Sequence, residues 1–157
     1  MKIMMNKIIL TLVASLLFAA QSYAGEVTVS DAWARATAPG QKVGLVGLTI
    51  TSQKDGRLLA ATSPASASVE IHTMSMDNGI MKMRQLDDLP LTAKQPATLG
   101  MEGNHLMLIN LKHALKPGEN VPVTITVQFA DKSTEKIKIN ALVRPIATNH
   151  DQHHNHH

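Results

Sequence analysis

Val121-Pro122-Val123-Thr124-Ile125-Thr126-Val127-Gln128-Phe129 puts Val123, Ile125, Val127 and Phe129 on one side and Thr124, Thr126 and Gln128 on the other. A period of two belongs to a β-strand with one face on a core. Thr134 to Val143 repeats the pattern, with Ile137, Ile139, Ala141 and Val143 opposed to Lys136, Lys138 and Asn140. Upstream, Val43 to Thr51 is rich in Val, Leu, Ile and Thr, Val69 to His72 is a short alternating run, and His105 to Leu111 is apolar enough for a strand covered on both faces. Pro39-Gly40, Asp55-Gly56, Asn78-Gly79, Pro117-Gly118 and Ala130-Asp131-Lys132 punctuate these runs as turns. No stretch from Gly25 onward sustains a 3.6-residue period of helical length. About seven short strands are expected, folded into an all-β antiparallel sandwich or barrel.

The 157 residues suffice for one domain. Residues 1–24 read as a secretory signal peptide: Lys2 and Lys7 precede an apolar run from Ile8 to Ala20, and Ser22-Tyr23-Ala24 supplies the small-x-small cleavage pattern. The run is shorter than the roughly 20 residues that span a bilayer, so the mature protein is expected not to be membrane-embedded. Residues 25–146 form the domain. Residues 147–157, with His150, His153, His154, His156 and His157, read as a flexible tail. Without Lys2 and Lys7 the chain carries 13 basic and 12 acidic residues. Basic clusters and phosphate loops are lacking, which argues against nucleic-acid binding. The signal peptide sends the protein out of the cytoplasm, and the His-rich tail with the lack of a lipidated Cys points to a bacterial periplasm.

Zero Cys excludes disulfide scaffolds, zinc fingers, iron–sulfur centres, thiol enzymes and blue-copper electron transfer. Ser is not placed in a G-x-S-x-G turn, and Asp87-Asp88 reads as a solvated loop pair, so the protein is expected not to be an enzyme. The unusual feature is Met beside His. Four of the six Met beyond residue 24 lie in His72-Thr73-Met74-Ser75-Met76-Asp77-Asn78-Gly79-Ile80-Met81-Lys82-Met83-Arg84, around an Asn-Gly turn. Gap filling in a core does not account for four Met among polar turn residues. His105 and Met107, two apart in a strand, present an imidazole and a thioether side by side. Met101 reads as core or loop packing and His113 as a solvated turn residue.

The intervals His72, ten residues, Met83, 21 residues, His105, one residue, Met107 resemble the H-x10-M-x21-H-x-M signature of the periplasmic copper chaperone family called PCuAC. The likeness extends to Trp33-Ala34-Arg35-Ala36, to Gly79-Ile80-Met81-Lys82-Met83-Arg84, to Gly103-Asn104-His105-Leu106-Met107-Leu108 and to Pro117-Gly118, covering roughly residues 27–143. Leu48 departs from it, standing where such proteins usually carry an aromatic residue. The resemblance implies a cupredoxin-like Greek-key β-sandwich with a surface-exposed Cu(I) site of His72, Met83, His105 and Met107. Met81 competes with Met83, and Met74 and Met76 are auxiliary ligands or a covering loop.

Soft thioethers select Cu(I), and imidazole is acceptable to it. Zinc prefers Cys, His and carboxylate, and calcium and magnesium prefer oxygen. Thioethers also resist an oxidising compartment in which thiols pair. The resemblance further implies a monomeric chaperone delivering copper to a cuproenzyme, namely a cytochrome oxidase subunit, sometimes beside a Sco-type protein. Copper buffering, uptake or tolerance without an oxidase client is the competing expectation, and a metal-free interaction domain the third. The tail run, interrupted by Gln and Asn, reads as native and suited to Cu(II), Ni(II) or Zn(II).

Overall fold

The computed structural model describes residues 25–146. The signal peptide and the His-rich tail, with His150, His153, His154, His156 and His157, lie outside the described residues. Ten strands follow one another: β1 (Val27–Arg35), β2 (Val43–Ser52), β3 (Gly56–Thr62), β4 (Ser66–Asp77), β5 (Ile80–Leu86), β6 (Leu89–Leu91), β7 (Ala97–Leu99), β8 (Asn104–Leu111), β9 (Asn120–Phe129) and β10 (Thr134–Arg144). There is no helix among the described residues. The all-β expectation holds, with ten strands rather than about seven. The two three-residue strands, β6 and β7, are too short to show a period.

The strands run in the spatial order β5-β4-β8-β2-β1-β10-β9-β3-β6, with β7 beside β2. A single pair, Ala61 with Val69, joins β3 to β4 and closes the sheet on itself. All pairings are antiparallel but one, because β1 and β10 run parallel through Trp33 with Leu142 and Arg35 with Arg144. Closure places one face inside. Val121, Val123, Ile125, Val127 and Phe129 of β9 are buried there, against Val46, Leu48 and Ile50 of β2 and Leu106 and Leu108 of β8. Leu48 sits in this core opposite Leu99. In β10 the inward residues graduate, Ile137 and Ile139 half-buried and Ala141 and Val143 fully so.

In β1 the register slips between Ser30 and Trp33, where two residues oppose one of β2. Asp31 there adopts a positive φ of 52°, as in a β-bulge. Val27 and Val29 face the core before the bulge, and Ala34 faces it after. The bulge therefore turns Trp33 outward, opposite Gly47. A Cβ on Gly47 would lie 2.5 Å from the indole ring, so only glycine lets the indole lie across β2 here.

Candidate metal centre

β4 is longer than the short run expected over Val69 to His72. It does not end at His72 but runs on to Asp77, turns at Asn78-Gly79, and returns as β5. Asn78 and Gly79 have φ of 49° and 78°, the paired left-handed geometry of a type I′ hairpin turn. Met74 and Met76 therefore belong to a strand and not to a covering loop. β8 flanks β4 only as far as Thr73 opposite Asn104, and the Met74 amide then donates to the Gly103 carbonyl at 2.8 Å. Beyond that point β4 and β5 continue as a two-stranded ribbon, which twists more freely than a sheet interior.

Register then assembles the site. His72 of β4 stands directly opposite His105 of β8. Their ring centroids are 5.9 Å apart with planes inclined by 43°. Ile71 and Leu106, the neighbours of opposite parity, point into the core, so the histidines occupy the outer face. Met107 shares that face, opposite Glu70. On the ribbon side Gln85 stands opposite His72, Met83 opposite Met74, and Met81 opposite Met76. His72, Met83, His105 and Met107 thus share one face with Met74, Met76, Met81 and Glu70. Met83 and Met107 are each diagonal to His72, on opposite sides of the His pair. Met81 is one row farther from the pair than Met83.

Each imidazole has one nitrogen held and one free. His72 Nε2 lies 2.7 Å from Glu70 Oε2, and His105 Nδ1 lies 3.3 Å from the Gly103 carbonyl oxygen. An oxygen acceptor draws the ring proton to the nitrogen it faces and leaves a lone pair on the other. Those other atoms, His72 Nδ1 and His105 Nε2, are buried with no hydrogen-bond partner. A buried polar atom without a partner costs about 1–3 kcal/mol. Two such atoms on facing rings form a ready donor pair. Burial lowers the His105 pKa below its ordinary value, aided by neighbouring His72 and opposed by the Gly103 carbonyl.

The site is on the outer face, but it is not open as expected of a hand-over site. His105 is 0% exposed and the His72 side chain 14%. The thioethers of the ribbon are the exposed part. Glu70 had no visible partner in the sequence; the signal for it was its position two residues before His72 in a strand, which puts both on one face. Met101 is exposed in the loop before β8 and lines a concavity with Trp33, Arg35, Arg144 and Pro145, so it serves no core. His113 is exposed, with Nδ1 3.1 Å from the Ala114 carbonyl. Asp88 pairs with Arg57 at 3.2 Å, in keeping with a solvated acidic pair. Among the described residues no group of three or more His, Asp or Glu is placed to hold an ion, so a hard divalent cation finds no oxygen-rich set there.

This barrel has the architecture of PCuAC domains. A copper-bound PCuAC domain from PmoF2 superposes with a TM-score of 0.62 at 18% identity, over 78% of this chain and 95% of that one. The Cu(I) form of DR1885 from Deinococcus radiodurans superposes with a TM-score of 0.58 at 29% identity, over 80% of this chain and 83% of that one. A family model described as "Putative lipoprotein LpqE-like" matches residues 27–140, and the chain belongs to the LpqE-like family. A relative from Leifsonia xyli subsp. xyli, "Putative lipoprotein Lxx21020", is 29% identical over 114 residues, 72% of this chain and 68% of that protein. A family of lipoproteins agrees with a location outside the cytoplasm, although the 157 residues hold no Cys to carry a lipid. Among the described residues no helix is long and apolar enough to cross a membrane.

Proposed function

We propose that the protein is a periplasmic Cu(I) chaperone, with copper as its cargo. It holds the ion through His72 and His105, completed by Met107 from β8 and Met83 from the ribbon. It passes the ion to a cuproenzyme, the copper centre of a respiratory cytochrome oxidase. The observation that carries this reading is the pair of facing imidazoles, each with one nitrogen engaged by oxygen and the other buried and unpartnered. Neutral imidazole with thioether neighbours is a soft, uncharged donor set that suits a monovalent d¹⁰ ion. Exposed thioethers beside covered imidazoles let an acceptor approach the ion by ligand exchange.

The test is anaerobic Cu(I) titration of the chain from Gly25 against a chromophoric chelator, with and without residues 147–157. The domain holds Cu(I) in both forms, whereas Cu(II) binding, carried by the tail imidazoles, falls away on truncation. Cu(I) binding lost with the tail would refute the domain site. Transfer of the bound ion to an apo-oxidase copper domain, followed spectroscopically, separates delivery from buffering.

Glu70 orients His72 without reaching the ion. Changing Glu70→Gln keeps the shape but weakens the acceptor that fixes the ring proton on Nε2. Cu(I) affinity is expected to fall about 10–100-fold, the usual effect of losing an orienting partner, with unchanged circular dichroism. An affinity within twofold of the parent would remove Glu70 from the site.

Acid acts on His105 in two ways. Its folded pKa is depressed by burial, so between that value and the unfolded value of about 6.5 the unfolded chain binds more protons. The His105 contribution to apo-protein stability is therefore present above about pH 6.5 and lost as pH falls toward the folded pKa. Cu(I) affinity falls over the same acid range, because bound imidazole must be neutral, and it levels off above zero because thioethers do not titrate. Urea midpoints and Cu(I) competition between pH 5 and 8 measure both. A flat affinity profile would exclude the histidines.

A further inference from the structure

The outer face of the β4–β5 ribbon is built almost wholly of thioethers. Met74 faces Met83 and Met76 faces Met81 across the two strands. Met76, Met81 and Met83 are 64%, 57% and 49% exposed. The other face of the ribbon carries Thr73, Ser75, Lys82 and Arg84, with exposed Ile80 beside the turn, and Lys82 pairs with Asp77 at 2.6 Å. The thioether side of the ribbon is thus largely open to solvent, with Met74 alone of the four half-buried. Four directly paired Met on a solvent-facing ribbon do not serve packing, and their common property is a soft sulfur donor.

Directly opposite residues have Cβ atoms about 5 Å apart, and residues two apart along a strand lie about 7 Å apart. The centre of the Met74–Met76–Met81–Met83 rectangle is therefore about 4 Å from each Cβ, within reach of unbranched thioethers on one ion. Met83 stands at the edge of this rectangle that borders His72.

We propose that Met74, Met76 and Met81, with Met83, form a second Cu(I) position at the exposed end of the ribbon, an outer station from which the ion passes to the His pair. This rests on the reading of His72 and His105 as the inner ligands. The step is ligand exchange: Cu–S bonds to Met74, Met76 and Met81 break, Cu–N bonds to His72 and His105 and a Cu–S bond to Met107 form, and Met83 stays bound throughout. Copper remains Cu(I), and the accepting atoms, His72 Nδ1 and His105 Nε2, have no hydrogen-bond partner to give up. The outer station binds more weakly, since its ligands are exposed and must be ordered around the ion, and its affinity is independent of pH.

The experiment is anaerobic Cu(I) titration of the chain from Gly25 at pH 7.5 and pH 5, with X-ray absorption of the loaded protein. It compares the parent, the triple variant M74L/M76L/M81L and the double variant H72Q/H105Q. Leu matches Met in volume, Met76 and Met81 are exposed and Met74 is half-buried, so the triple variant keeps the fold, as circular dichroism will register. The parent takes up two equivalents within the described domain, the second held by Met74, Met76 and Met81 while Met83 serves the inner ion. The triple variant loses the weaker, pH-independent equivalent and keeps the tighter one. The double His variant loses the tighter one and keeps the weaker with sulfur-only scattering, which distinguishes it from any ion on tail imidazoles. Parental stoichiometry in the triple variant overturns the outer station and leaves the inner site standing. Parental tight binding in the double His variant overturns the inner site instead. A double His variant with no sulfur-bound copper also overturns the outer station.

Discussion

A His72→Gln, His105→Gln double variant is expected to lose more than about 100-fold in Cu(I) affinity, since losing even an orienting partner costs about 10–100-fold. The rings face each other at 5.9 Å, and the two nitrogens without partners are the strongest donors on the outer face. Glutamine retains a polar end and much of the volume, so the loss reports donor chemistry more than collapse. Competition against a chromophoric chelator gives the affinity, and the urea midpoint checks the fold. Retention of Cu(I) within threefold of the parent would move the tight site elsewhere. The choice of Gln over Ala follows from burial. His105 is covered, so truncating it would leave a cavity and confuse packing with ligation.

The second large effect lies one residue away on the opposite face. Leu106 is fully buried, paired with Ile71 of β4 and Val46 of β2. Leu106→Ala is expected to destabilise the protein by about 2–5 kcal/mol, through lost burial and an unfilled cavity. Urea denaturation measures it, and a loss below about 1 kcal/mol would show that the core beneath the site collapses to fill the space. Because β8 carries His105 and Leu106 back to back, Cu(I) in excess should raise the variant's midpoint by mass action on the folded state. The site would then report on the core and the core on the site.

The strand period exposed β9 and β10 to sequence reading because half of each faces solvent and half faces the core. β5 escaped it. Ile80 to Gln85 is exposed on both faces, so its residues follow no burial pattern, and only the Asn-Gly turn and the returning register define the strand. The parallel meeting of β1 with β10 escaped for a different reason. It joins residues more than 100 positions apart, and neither strand marks its direction locally. At the site, spacing brought His72, Met83, His105 and Met107 together through a resemblance. The covering of His105, the grip of Glu70 on His72 and the order in which the Met follow one another along the ribbon came from register. A one-residue slip between β4 and β8 would send His72 to the core face and Ile71 outward, and no composition or interval in the sequence contains that information.

The bulge at Asp31 acts on β1 as a phase change acts on a wave. Before it odd-numbered residues point inward, and after it even-numbered ones do, so one strand serves the barrel interior from both halves while presenting Trp33 and Arg35 outside. Straightening the bulge into regular alternation without removing a residue would keep the strand's length and reverse its second half. The indole, now beside Arg144 with that guanidinium 5.5 Å from its ring, would be driven into the space of Ala34, and Ala34 would face solvent. Trp33 is the single Trp of the chain, so the colour of its fluorescence reads directly whether the frame of this strand is the native one.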